Sequence, residues 1–300
     1  MSGITGKGTR YLASLALIII INFTLPRLMP GDPVKNLIGE DVYVSEQVME
    51  ELRAELGLDR PLYEQFASFV SDILHLDLGY SYHLHAPVAE ILLDRIGWTL
   101  LFVGSSVIIG AFAGSLLGAL AGWKPEKRTS RVTGLAFIVF SCTPPYFLAL
   151  LSLYIFSFRL GLFPSKGFYD VPEIGSILHH LFLPICVMSV FSASRNFLVM
   201  RGSVIQEKKE LYALYARAKG LNDTGVLFRH VLKNSSLPII TLLALDFGFL
   251  FSGALFIEIM GKDYPLLQGA FLVISLTALL ANMLADLLYA LIDPRVRRPA

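Results

Sequence analysis

Six runs of about 20 or more mostly apolar residues dominate this chain, at 10–29, 97–122, 132–158, 178–200, 237–259 and 265–292. A lipid core about 30 Å thick is crossed by about 20 such residues in a helix, the form that satisfies its own backbone there. The predicted fold is therefore all-α. It is a polytopic membrane protein of about six transmembrane helices, with an outer-face helical segment after the first span. Hydrophobic residues make up 54% and charged residues 16%, against about 45–50% and about 25% in soluble domains. The formal net charge of +1 gives no reason to expect a nucleic-acid partner. The first run lacks a small-residue cleavage site and leads into Pro26 and Arg27, so it reads as a retained span.

Within the second run, Gly110, Gly114 and Gly118 form a small-xxx-small row, flanked by Gly104 and Gly122. Such a row lets another helix backbone approach closely, so this span is expected inside a bundle. Cys142 and Cys186 sit in apolar runs without metal-ligand spacing and read as small core residues.

Lysine and arginine set the orientation. With the N terminus inside, Lys124, Lys127, Arg128 and Arg131 fall on the cytoplasmic side. The loop at about 201–236 adds Arg201, Lys208, Lys209, Arg217, Lys219, Arg229 and Lys233, and the tail adds Arg295, Arg297 and Arg298. Both termini are then cytoplasmic, in a multi-pass cell-membrane protein. Residues 1–96 form a first span plus an extracytoplasmic helical segment, and 97–300 form a five-span transmembrane domain. In the outer segment Ser45 can cap a helix that Gly57 stops, with Val48, Met49 and Leu52 on one face. Pro61 can start a second helix carrying Leu62, Phe66, Phe69, Val70 and Ile73.

The most patterned segment is Glu210 to Pro238, ELYALYARAKGLNDTGVLFRHVLKNSSLP. A soluble motor that pushes on a membrane bundle needs a short helix seated in a groove. Ala213, Ala216 and Ala218 would permit close contact, Arg217 and Lys219 would fix register, and Gly220 would stop the helix. Glu207 and Glu210 lie upstream, where a helix N-terminus tolerates negative charge. A solvated topology-setting loop, or a helix lying on anionic lipid, accounts for the same pattern.

This segment resembles the docking signature of permease subunits of dipeptide, oligopeptide and nickel ABC importers, binding-protein-dependent inner-membrane components. The matching residues are Tyr212, Ala216, Arg217, Ala218, Lys219, Gly220 and Leu221, then Arg229, His230, Asn234, Leu237 and Pro238. Pro30-Gly31-Asp32-Pro33, Leu56-Gly57-Leu58-Asp59-Arg60-Pro61 and Asp77-Leu78-Gly79-Tyr80-Ser81 extend the resemblance. Asp286 to Arg295, DLLYALIDPR, closes it, so nearly the whole chain is covered. The resemblance implies a pathway-forming permease for peptides, with nickel or another small solute as the alternative. It places an ATPase docking site at Glu210, Tyr212, Ala213, Ala216, Arg217, Ala218, Lys219, Gly220 and Leu221. It implies cytoplasmic ABC ATPase subunits, a second homologous permease and an extracytoplasmic substrate-binding protein as partners, besides the bilayer. Two features depart from the family pattern. Tyr215 and Leu214 stand where the family has a small or polar residue and often Arg, and only Ile259 to Lys262 separate Glu258 from Asp263 where the family has a longer outer loop.

Asp246 is an ionisable group inside a span and is a candidate for the substrate pathway, against a bundle-interior ion pair or hydrogen bond. Arg195 and Asp286 are also intramembrane, and Asp286 reads as structural. His75, His83 and His85 are too few and too exposed for a metal-site reading. No phosphate-cradling Gly-x-x-x-x-Gly-Lys-Ser/Thr is present, so no cofactor is expected and hydrolysis belongs to a partner. An ion-coupled carrier would need broken spans paired across inverted halves, and an intramembrane hydrolase a catalytic constellation; neither pattern is present.

Overall fold

The computed structural model describes residues 2–28, 34, 45–55, 57–81, 84–167, 169–248, 250 and 264–292. The chain is divided into two compact units, Met1–Trp98 with Gly248–Met283, and Thr99–Phe247 with Leu284–Ala300. The described helices are α1 (Ser2–Leu28), α2 (Glu46–Glu55), α3 (Leu62–Leu74), α4 (Val88–Thr99), α5 (Ser105–Trp123), α6 (Arg128–Cys142) and α7 (Pro145–Ser152). They continue with α8 (Ile174–Glu207), α9 (Leu211–Ala218), α10 (Asp223–Val226), α11 (Leu232–Ser235), α12 (Leu237–Gly248) and α13 (Tyr264–Ile292). A two-residue hairpin pairs β1 (Tyr80–Ser81) with β2 (Ala86–Pro87), Tyr80 opposite Pro87.

The first unit is organised by aromatic and aliphatic contacts. Phe23 of α1 meets Phe66 edge-on at 5.1 Å and Phe69 at 5.6 Å, so these two residues of the predicted apolar face of α3 are used, while Leu62 stays exposed. The start of α3 follows Pro61, and the Ser45 hydroxyl accepts from the Val48 N–H at the start of α2. Gly57 lies at φ +63° beyond α2, in the region that favours glycine. Val88 and Leu92 pack with Leu266, Leu267 and Ala270 in a small core.

In the second unit the dominant pairing is α5 on α8. The glycine row is its cause. A Cβ at Gly110 would lie 2.6 Å from Ser192 Cβ, and one at Gly114 2.3 Å from the Ala193 carbonyl oxygen. At Gly118 and Gly122 it would lie 2.5 Å and 2.7 Å from the carbonyls of Phe197 and Arg201. The two backbones touch along about three turns, the packing that small residues permit in lipid.

Among the described residues, three helices are long and apolar enough to cross a membrane: Val88–Trp123, Ile174–Glu207 and Pro265–Tyr289. The count rises to five if two bent pairs are each taken as one span. The expected third run, 132–158, is therefore not one straight helix. Arg128–Cys142 and Pro145–Arg159 meet at 100°, because Thr143 and Pro144 are extended ahead of Pro145, where a proline ring disfavours helical geometry in the residue before it. The first run lies in α1, where Gly8–Thr24 is an apolar stretch among the described residues. The fifth is described as Leu237–Gly248, and its remainder lies outside the described residues. Also outside are Pro30–Pro33, Leu56, His83, the loop at 259–262 and the basic tail from Asp293 onward, as is the Leu52 side chain.

Cys142 and Cys186 are exposed on this chain, not buried as their surroundings suggested. In a bundle bounded by lipid, an apolar sequence context marks surface and core alike.

Candidate functional site

The segment after α8 folds as a compact helical unit. Glu210 stands at the N-cap of α9, where its carbonyl accepts from the N–H groups of Ala213 and Leu214 at 3.0 and 3.2 Å. Its side chain makes no cap hydrogen bond, so its charge meets the helix N-terminus through space alone. Gly220 ends the helix at φ +88°. The Gly220 N–H donates to the Arg217 carbonyl at 2.9 Å and the Leu221 N–H to the Ala216 carbonyl at 3.3 Å. That pair of bonds is the Schellman closure, which demands a left-handed residue at this position. The Asn222 side chain then accepts from the Gly225 N–H at 2.8 Å and starts α10.

Two of the three alanines singled out in α9, Ala213 and Ala216, face inward, while Ala218 is exposed. Ala213 is 0% and Ala216 5% exposed, because both are packed in this chain's own core with Met200, Val204, Val226 and Val231. Close approach is used inward, to hold α9 against the end of α8. The outward face consists of Leu211, Leu214, Tyr215 and Ala218, at i, i+3, i+4 and i+7, with Leu211 81% and Tyr215 64% exposed. Glu210, Arg217, Lys219 and Gly220 are exposed beside it.

Polar contacts fix this unit's register. Tyr212 donates its hydroxyl to Glu207, the glutamate expected only to favour a helix start. Burial and that bond push the phenol up to about 12, so Tyr212 remains a donor across the physiological range. Arg217 lies over the Trp123 ring at 4.7 Å and 3.9 Å from Asp223, which also pairs with Lys124 at 3.6 Å. Lys208 donates to the Trp123 carbonyl at 3.0 Å. Burial lowers its ammonium, Glu126 opposes that, and Arg217 and Lys209 add to it. Half-exposed pairs of this kind contribute at most about 1 kcal/mol each, so they orient more than they stabilise. Trp123 and Asp223 were not singled out in the sequence, and Lys124 only for its part in the orientation. Asn222-Asp223 is the available signal, an N-cap followed by an acid in the first turn.

Asp246 is not part of this group. It lies on α12, its side chain 14% exposed, in an ion pair with Arg195 of α8, which is 41% exposed. Among the described residues Asp246 Oδ2 and Arg195 Nε are buried without a partner, so the pair is only partly satisfied. An unpaired charge in a span is costlier than a pair. Asp246→Ala is thus expected to lower the thermal midpoint of the purified chain, and Arg195→Met in the same chain to restore part of the loss. Equal midpoints for the single and double variants would show that the two side chains are not coupled.

Among the described residues no group of three or more metal-ligating side chains occurs. His75 contacts the Ser71 carbonyl at 2.7 Å within its own helix.

Residues 114–298 match the binding-protein-dependent transport system inner membrane component, and residues 8–103 match the N-terminal region of such membrane components. A protein of Brucella ovis named as a peptide permease is 33% identical over 94% of both chains. The glutathione transport system permease protein of Escherichia coli K12 is 30% identical over 95% of both. A protein of Sinorhizobium fredii named as a peptide ABC transporter permease is 30% identical over 95% of this chain and 96% of its own.

Proposed function

We propose that this chain, which belongs to the binding-protein-dependent transport system inner membrane component family, is the peptide-conducting permease subunit of an ABC importer. The observation that carries the coupling half of this reading is the outward face of α9. A helix that spends Ala213 and Ala216 on its own bundle still presents Leu211, Leu214, Tyr215 and Ala218 to solvent, ringed by Glu210, Arg217 and Lys219. An exposed apolar stripe with a charged rim has the make-up of a protein-docking surface. Peptides as the cargo rest on the names of the relatives, and no feature of this chain favours nickel over them.

In this reading the loop at about 201–236 faces the cytosol with both termini, residues 1–96 supply the first span and its outer segment, and 97–300 form the transmembrane domain. A second homologous permease completes the pathway, and a substrate-binding protein delivers cargo from outside. ATPase subunits closing on nucleotide would draw the two α9 helices together and reorient the bundle. Asp246 enters as a carboxylate that a peptide amine could share with Arg195 when that pair opens.

Cysteine at Leu211 or Tyr215 is expected to crosslink to a nucleotide-hydrolysing subunit when the whole importer is expressed together. Failure at both positions, in a complex that still hydrolyses ATP, would remove α9 as the coupling element.

A further inference from the structure

A cavity of about 370 Å³ opens between the end of α5, the first turn of α6 and the helical turn after α10. One wall is apolar and belongs to the span: Leu117 and Leu120 are exposed along α5, and Phe228 is exposed across from them. The mouth is cationic and hydroxylated, with Lys124, Lys127, Thr129, Ser130 and Thr224. Ser130 is only 7% exposed and lines the mouth with its hydroxyl-bearing side chain. Among the described residues no ion pair holds Lys127, while Lys124 is held by Asp223 at 3.6 Å, the acid among the cavity's lining residues. Arg128 and Arg131 follow in α6, and Glu126 precedes it. Positive charge therefore predominates at this edge.

A soluble anion would need only the mouth. An apolar wall running up the span from a cationic, hydroxyl-lined mouth, with Trp123 at the boundary, fits a molecule that is anionic at one end and aliphatic at the other. We propose that this cavity binds an anionic phospholipid of the cytoplasmic leaflet, its phosphate on Lys127, Lys124 and Ser130 and its acyl chains along Leu117 and Leu120. The site rests on the orientation proposed above. It also reaches the coupling helix. Lys124 shares Asp223 with Arg217 of α9, so a phosphate that draws Lys124 away leaves Asp223 to Arg217 alone. The lipid would thereby tighten the hold on α9.

The test uses the assembled importer in nanodiscs of phosphatidylcholine alone or mixed with phosphatidylglycerol. Native mass spectrometry should find phosphatidylglycerol retained by the unaltered complex and by Lys127→Arg, and lost from Lys127→Glu. Phosphatidylglycerol should raise ATP hydrolysis in the first two and leave the third unchanged. Equal retention in all three would overturn the proposal. So would an equal effect of inorganic phosphate in phosphatidylcholine discs, which would mark a free-anion site. Ready disulfide formation between Leu120→Cys and a neighbouring permease chain would also overturn it, because protein would then cover the wall. An impermeant thiol reagent applied to Lys127→Cys, in a chain with Cys142 and Cys186 replaced, separates the two ideas. Labelling from outside the cell sinks the orientation, whereas correct labelling without selective retention sinks the lipid site alone.

Discussion

Gly114→Leu is expected to abolish accumulation of the folded chain in the membrane. The first side-chain carbon at this position would lie 2.3 Å from the Ala193 carbonyl oxygen and 2.8 Å from its Cα. Those are backbone atoms of a facing helix, and no rotamer change moves them. The helices must separate, and the neighbouring contacts at Gly110 and Gly118 are then lost with the one at Gly114. Overpacking one core site costs about 1–3 kcal/mol where neighbours can adjust; here the obstacle is rigid and the loss is shared along the row. Gly114→Ala should show the same defect in milder form. Gly202→Ala supplies the contrast, since a Cβ there meets nothing within 4 Å. It lies inside α8, where alanine is favoured over glycine by about 0.5–1 kcal/mol. Thermal midpoints of the purified chain should therefore fall in the order Gly202→Ala, unaltered, Gly114→Ala, with Gly114→Leu not recovered. A Gly114→Leu chain that melts with the unaltered one would show that the α5–α8 contact is not close-packed.

Gly220→Val should separate hydrolysis from transport. The left-handed backbone at φ +88° is hostile to a β-branched residue, at a strain of about 1–3 kcal/mol. Space is not the obstacle, because nothing lies within 4 Å of a Cβ there. The penalty falls on the Schellman closure itself, so α9 would lose its fixed end while the spans stay intact. Stimulation of ATP hydrolysis by loaded binding protein is expected to drop by about tenfold, as a strain above about 1.4 kcal/mol implies, with chain levels in the membrane unchanged. Gly220→Asn, which tolerates this conformation better, should recover much of it. Undiminished stimulation in the valine variant would mean that force enters the bundle elsewhere.

Much of this was legible in the sequence because it depended on local chemistry. The glycine spacing in α5, the proline that opens α3, the glycine that stops α9 and the apolar runs each act through their nearest neighbours in the chain. The direction in which α9 faces was not legible. Alanines at 213 and 216 are equally suited to a partner's groove and to this chain's own core, and only the position of α8 and the turn after α10 decides between them. The same holds for Arg195 and Asp246, 51 residues apart, whose pairing depends on how α8 and α12 are brought together. The sharp bend at Thr143–Pro144 was hidden for another reason. Hydropathy is blind to direction, and a run of apolar residues reads the same whether the helix continues or turns.

The fused α5–α8 pair has a mechanical consequence. Below Pro184, α8 extends for about 34 Å at 1.5 Å per residue, stiffened by the adjoining rod, before it reaches the turn into α9. A rocking of about 5° about Pro184 would sweep the α9 end of this segment through about 3 Å at that length. Pro184, where the helix lacks a backbone donor, sits at the top of the lever, the natural fulcrum for such a stroke.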